Sequence, residues 1–159
     1  MAILKGSPMA QFEPVGYVRN TRNELSVAHW ADVESRIEID LPYRKGLQGL
    51  TEFSHAVIVF HLNRLAPFDP AKQITRNPRG MENLPAVGVF AQRTKFRPNP
   101  IGVTTVEVVT VDDKGITVRG LDALDGTPIL DIKPYIPGFD SRENVRLPAW
   151  VDKMMDGYF

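Results

Sequence analysis

The chain of 159 residues contains no cysteine. That excludes disulfides, thiolate zinc sites and cysteine nucleophiles together, and it suits a reducing compartment. Long apolar runs are missing as well. The longest, Ala56 to Phe60, is far short of the ~20 residues a membrane-spanning helix needs. Net charge is nil, with 19 basic side chains against 19 acidic ones, so the average composition argues against a strongly electrostatic nucleic-acid binder. The chain carries no G-x-S-x-G elbow, P-loop or G-x-G-x-x-G fingerprint, and its serines (7, 26, 35, 54 and 141) sit in no triad context. Serine hydrolysis and Rossmann-type nucleotide binding therefore lack support. Histidine is scarce: His55 and His61 bracket one predicted strand, which sets them roughly 20 Å apart at about 3.3 Å per residue. They cannot share an ion, and no metal site is expected. Residues 1–12 lack the basic leader and apolar stretch of a signal peptide and read as a flexible tail. One domain over 13–159 and a soluble, cytoplasmic protein are expected.

What is present is proline and glycine, 13 and 12 residues, which predict many turns and few long helices. Pro14 to Arg19 reads as a strand, and Ser35 to Asp40 alternates as a half-buried strand does. Pro42 to Leu50 reads as a helical turn and loop. His55 to Leu62, continuous and β-branched, suggests a strand buried on both faces. Pro67 to Pro85 reads as a long surface loop and Ala86 to Ala91 as a strand. Val103 to Val111 and Gly115 to Gly120 flank the polar Asp112-Asp113-Lys114, a hairpin signal. Leu130 to Tyr135 is a last strand, and a helix late in Asn144 to Met155 starts after Pro148. Six or seven strands with few short helices predict an all-β protein, a single-sheet closed or nearly closed β-barrel.

The charge is unevenly placed. Lys72, Arg76, Arg79, Arg93, Lys95 and Arg97 face the single acid Glu82 between residues 72 and 100. This segment contains RTKFRPNPIG, Arg93 to Gly102. Each proline fixes its own φ and pushes Arg97 or Asn99 toward extended geometry, so the backbone is ordered before anything binds. Gly102 permits a close approach. With the cations beside it, the segment fits an anionic or nucleotide-like ligand. A second segment, Gly120 to Asp140, sets Asp122, Asp125 and Asp131 among apolar residues. Asp125-Gly126 is an ordinary Asx-turn pair. Asp122 and Asp131 need partners, because an unpaired buried carboxylate is costly; Lys133, Arg93, Arg97 or a ribose diol would serve.

The blocks Gly46 to Arg64, Gly88 to Gly102 and Leu121 to Tyr135 resemble, in order and spacing, the TsaA-like family, also called YaeB-like or TrmO. Its characterised members are S-adenosylmethionine-dependent tRNA methyltransferases. The resemblance implies a β-barrel that binds S-adenosylmethionine, as a homodimer, and methylates the exocyclic nitrogen of threonylcarbamoyladenosine beside the tRNA anticodon. Carried over, the cofactor contacts fall on His61, Leu62, Arg93, Val103 and Asp122, Ala123, Leu124 and Asp125. Asp125 or His61 would take the departing proton, and Arg76, Arg79, Lys95 and Arg97 would meet RNA phosphates. Leu25 to Asp32 departs from the family's usual pattern after the first strand, and the chain ends at Phe159 without room for the C-terminal domain of larger members. A cofactor-binding module without turnover, a methyltransferase of another RNA or small amine, and an RNA-binding barrel with no cofactor are the competing readings.

Overall fold

The computed structural model describes residues 10–24 and 29–159; most of the expected tail, residues 1–9, and Leu25 to Ala28 lie outside the described residues. Among the described residues eight strands follow in order: β1 (Gly16–Arg19), β2 (Glu34–Ile39), β3 (His55–His61), β4 (Thr75–Arg76), β5 (Val87–Gly88), β6 (Ile101–Val111), β7 (Gly115–Arg119) and β8 (Pro128–Pro134). Six of them close an antiparallel barrel in the order β1-β2-β7-β6-β3-β8, sealed by β1 against β8, while β4 and β5 form a separate two-stranded ribbon. The helices are short: α1 (Pro70–Gln73), α2 (Pro137–Asp140) and α3 (Trp150–Met155), with 3-10 turns at Leu41–Leu47, Leu50–Glu52, Pro78–Gly80 and Val89–Ala91.

The period-2 pattern sets the barrel. Each barrel strand sends at least one fully buried aliphatic side chain inward: Val18, Ile37, Ile58, Val106, Ile116 and Ile129. Burying each contributes about 1.5–3 kcal/mol relative to leaving it exposed. Leu47 and Leu50 join this core from one end, and Leu121 and Ala123 from the other. The β6–β7 hairpin forms where expected. Asp112 Oδ1 accepts the backbone N–H groups of Lys114 and Gly115 and the Arg36 guanidinium, whose hydrogen bond is the main reason its carboxyl is held down at about 2.

Three expectations change. β3 is buried on one face only: Ala56, Ile58 and Phe60 point inward, whereas Val57 and Val59 are half-buried on the outside. A closed barrel gives each strand one interior face, so the continuous apolar run of β3 does not mean two buried faces. The stretch 67–85 is not a bare loop, since it holds α1, a 3-10 turn and β4, which pairs Arg76 with Val87. The strand expected over Ala86 to Ala91 shrinks to two residues before the chain turns into a 3-10 helix.

Candidate cofactor site at one rim of the barrel

Antiparallel pairing brings the end of each strand beside the start of the next. The registers Glu34↔Arg119, His61↔Ile101 and Tyr17↔Pro128 therefore place the end of β3, the start of β6 and the β7–β8 connection at one rim. His61, Leu62, Val103 and the Asp122 to Asp125 stretch all lie on it. His55 pairs with Glu107 toward the other end. Among the described residues, no group of three or more His, Asp or Glu could hold a metal ion.

The 121–127 loop is built by hydrogen bonds from the strand β1 end. The Asn20 side-chain amide donates to Ala123 O (2.9 Å) and Ser35 Oγ (2.8 Å), and its backbone N–H donates to Asp125 Oδ1 (3.1 Å). Asp125 N–H donates to Arg22 O (2.9 Å), Gly126 N–H to Val18 O (2.8 Å), and the Arg64 guanidinium to the Asp125 carbonyl. Gly126 takes φ of 77° to make the turn, a backbone region glycine enters without a Cβ penalty. Leu121 and Ala123 plug the barrel end, leaving Asp122 half-buried between them. Its Oδ1 accepts the Thr104 hydroxyl of β6 and its Oδ2 accepts the Tyr158 hydroxyl at 2.5 Å. Its partners are thus two hydroxyls, where sequence reasoning offered Lys133, Arg93 or Arg97. Asp131 takes Lys133, at 2.6 Å on the part-exposed face of β8, and so is not a buried charge. Asp125 reaches across the chain to Asn20 where an Asx-turn would have bonded its own backbone.

Arg93 is exposed and its guanidinium donates to the Val103 carbonyl at the start of β6. The Val103 side chain itself faces outward, 42% exposed. The proline-bracketed segment runs directly into β6, with Pro100 O accepting Leu62 N–H at 2.8 Å. This ties the two halves of the rim together. The close approach that Gly102 permits is taken by the Phe60 ring, so its smallness serves the core.

The cations divide into two kinds. Arg97 Nη1 is spent on Val89 O (2.9 Å) and Gln92 O (2.7 Å), and Arg79 Nη1 on Met154 O (2.6 Å) and Asp156 O (3.1 Å). Arg76 and Lys95 instead flank the Phe96 ring, at 4.1 and 5.4 Å from its centroid. Partial burial, and secondarily the Arg76 charge, lower the Lys95 pKa from its ordinary value. Lys95, Phe96 and Arg97 form one wall of a cavity of about 340 Å³ whose other wall includes His61, Leu62 and Phe68. Another cavity, of about 280 Å³, lies near the opposite rim between Arg44, Lys45 and Asp112 and includes none of the residues singled out for chemistry.

Residues 25–141 match the N-terminal domain of tRNA-methyltransferase O. The chain belongs to the tRNA-methyltransferase O family. Within it, a probable S-adenosyl-L-methionine-binding protein of Pyrococcus abyssi is 37% identical over 150 residues, covering 91% of this chain and 78% of that protein. The tRNA (adenine(37)-N6)-methyltransferase of Escherichia coli is 36% identical over 144 residues, covering 82% of this chain and 60% of the enzyme. The crystal structure of TrmO from Pseudomonas aeruginosa superposes with a TM-score of 0.71 at 28% identity, over 87% of this chain and 61% of that one. The chain thus spans less than two thirds of these methyltransferases. Thr104, Asn20, Arg64 and Tyr158 are the members of the site that sequence reasoning missed. Arg64 closes the Gly46 to Arg64 block without having been given a role and Thr104 lies just past Gly102, whereas Asn20 and Tyr158 lie outside every recognised block and arrive only through tertiary contacts.

Proposed function

We propose that residues 13–159 form an S-adenosylmethionine-dependent methyltransferase domain. It acts on the exocyclic N6 of adenosine 37 of tRNA, in its threonylcarbamoyl-modified form beside the anticodon. The observation that carries this reading is the convergence, at one barrel rim, of a cation, a half-buried carboxylate and a cavity walled by aromatic and basic side chains, in a chain some of whose relatives are named tRNA (adenine(37)-N6)-methyltransferases.

The donor set fits the cofactor. Arg93 supplies a fork for the methionine carboxylate. Asp122 keeps lone pairs that would serve ribose hydroxyls, and the backbone of Ala123, Leu124 and Asp125, with His61 and Leu62, would hold the rest of the cofactor. The cofactor supplies a methyl group on a sulfonium, already activated toward an amine. The protein's tasks are then to hold the amine in line and keep water away. The cavity beside His61 takes the target base, with Phe96 as a stacking surface. The nitrogen must lose a proton as it gains the methyl, and His61, which lines that cavity, is assigned to receive it. Asp125 is the other candidate, and its Oδ1 is engaged by Asn20.

Arg76, Lys95, Arg79 and Arg97 form the phosphate-facing side. Because Arg79 and Arg97 also hold backbone carbonyls, the clean test uses Arg76→Gln with Lys95→Gln. Together these should flatten the salt dependence of tRNA binding by about 1.4 to 1.8 in the slope of log K against log salt. Filter binding across a salt series reads it, and an unchanged slope removes this surface.

Methyl transfer itself is tested with radiolabelled cofactor and two tRNA preparations, one carrying threonylcarbamoyladenosine and one unmodified at that position. Label should enter only the modified tRNA. Label in both would broaden the substrate. Binding of cofactor with no label in either would favour a cofactor-binding module, a reading supported by the Pyrococcus abyssi relative, which is matched over most of its length and is named for binding alone. A homodimer and a cytoplasmic location complete the proposal, the first checked by light scattering of the purified protein.

A further inference from the structure

The segment 150–159, which the proposed mechanism leaves unused, reaches the rim and ends on Asp122. It is anchored by four contacts that need no tyrosine hydroxyl. His29 N–H donates to Gly157 O and Trp30 N–H to Tyr158 O, each at 3.0 Å. Arg79 Nη1 donates to Met154 O and Asp156 O. The Tyr158 hydroxyl adds a contact of a different kind, donated to a carboxylate: it meets Asp122 Oδ2 at 2.5 Å, while Thr104 meets Oδ1.

We propose that Tyr158 is a positioning residue for the nucleoside end of the cofactor: with Thr104 it fixes the plane of the Asp122 carboxylate so that the remaining lone pairs face a ribose diol. The proposal rests on the reading of Asp122 as the ribose acceptor. An ionised carboxylate accepts about four hydrogen bonds. One donor on each oxygen leaves one site on each, the pattern a vicinal diol fills. The two donors come from β6 and from segment 150–159, so the carboxylate cannot turn without breaking a contact to one of them. The phenol is a permanent donor near neutrality. Burial, and then the neighbouring Asp122 charge, push its pKa well above the ordinary value, with Arg93 and Arg79 opposing. Segment 150–159 is thereby a wall of the cofactor site.

The test is a double-mutant cycle with Tyr158→Phe and Asp122→Asn, titrating the full chain with S-adenosylmethionine by calorimetry and recording thermal melts. Tyr158→Phe keeps the ring and the backbone anchors. It should weaken binding roughly three- to tenfold with an unchanged melting temperature, and should weaken it no further in the Asp122→Asn background. If Asp122→Asn weakens binding but Tyr158→Phe leaves it unchanged or tightens it, the positioning role is wrong and the ribose assignment stands. Equal losses from Tyr158→Phe in both backgrounds also overturn it, since the tyrosine would then act elsewhere. If Asp122→Asn binds like wild type, the ribose assignment falls and takes the proposal with it. Should Tyr158→Phe lower the melting temperature, Thr104→Val carries the same test from the other carboxylate oxygen and leaves segment 150–159 untouched.

Discussion

Gly102→Ala destabilises the barrel by about 1–3 kcal/mol, the usual cost of overpacking a filled core, and Phe60→Ala by about 3–5 kcal/mol. Both follow from one contact. Phe60 is 2% exposed and pairs across the β3–β6 ladder with Gly102. A Cβ at position 102 would lie 2.3 Å from both Cε2 and Cζ of the ring. Ile58, Val106 and Ile129 share the buried core with the ring, so moving it means repacking them. The decisive experiment is urea unfolding of Gly102→Ala, Phe60→Leu and the double variant. The double variant should cost less than the sum of the singles, since a leucine vacates the space the new methyl needs. Strict additivity would mean that ring and glycine are not in competition. The same change reaches the site, because His61 and Leu62 follow Phe60 directly and Leu62 N–H is bonded to Pro100.

Arg93→Ala should cost roughly ten- to a hundredfold in affinity for S-adenosylmethionine, the value of a hydrogen-bonded charge pair of about 1.5–3 kcal/mol. Arg93→Lys should recover only part of it, since an ammonium keeps the charge but not the two-pronged fork. The guanidinium now rests on the Val103 carbonyl, a neutral acceptor that a carboxylate displaces at little cost. Isothermal titration of the three proteins, each checked for an unchanged melting temperature, decides the matter. Wild-type affinity in Arg93→Ala would place the methionine carboxylate on another group.

The barrel was legible because closed antiparallel sheets impose a two-residue period that survives in β2 and β6, with a short polar hairpin between β6 and β7. The two-residue pairing of β4 with β5 was not, since two residues establish no period. β3 misled because an apolar exterior on a barrel reads locally like an interior. The aspartates show the same limit. Asp122 and Asp131 sit in similar apolar neighbourhoods of the sequence, but one lies half-buried against two hydroxyls while the other faces outward onto Lys133. Which face a residue takes depends on register, and the β3–β8 ladder shifts register between Val59 and Phe60. The parts of the recognised motifs singled out for the cofactor fell on one rim, but groups that hold them in place, Asn20 and Tyr158 among them, are separated from those motifs by long stretches of chain.

The hairpin at Asp112 to Lys114 lies at the far end of the 11-residue β6, about 35 Å along the strand from its start at 3.3 Å per residue. An insertion or a fused reporter placed there would sit outside the reach of the chemistry, with the intact barrel wall between them. That end is where the fold can lengthen, diverge or accept a graft while the opposite mouth keeps its geometry.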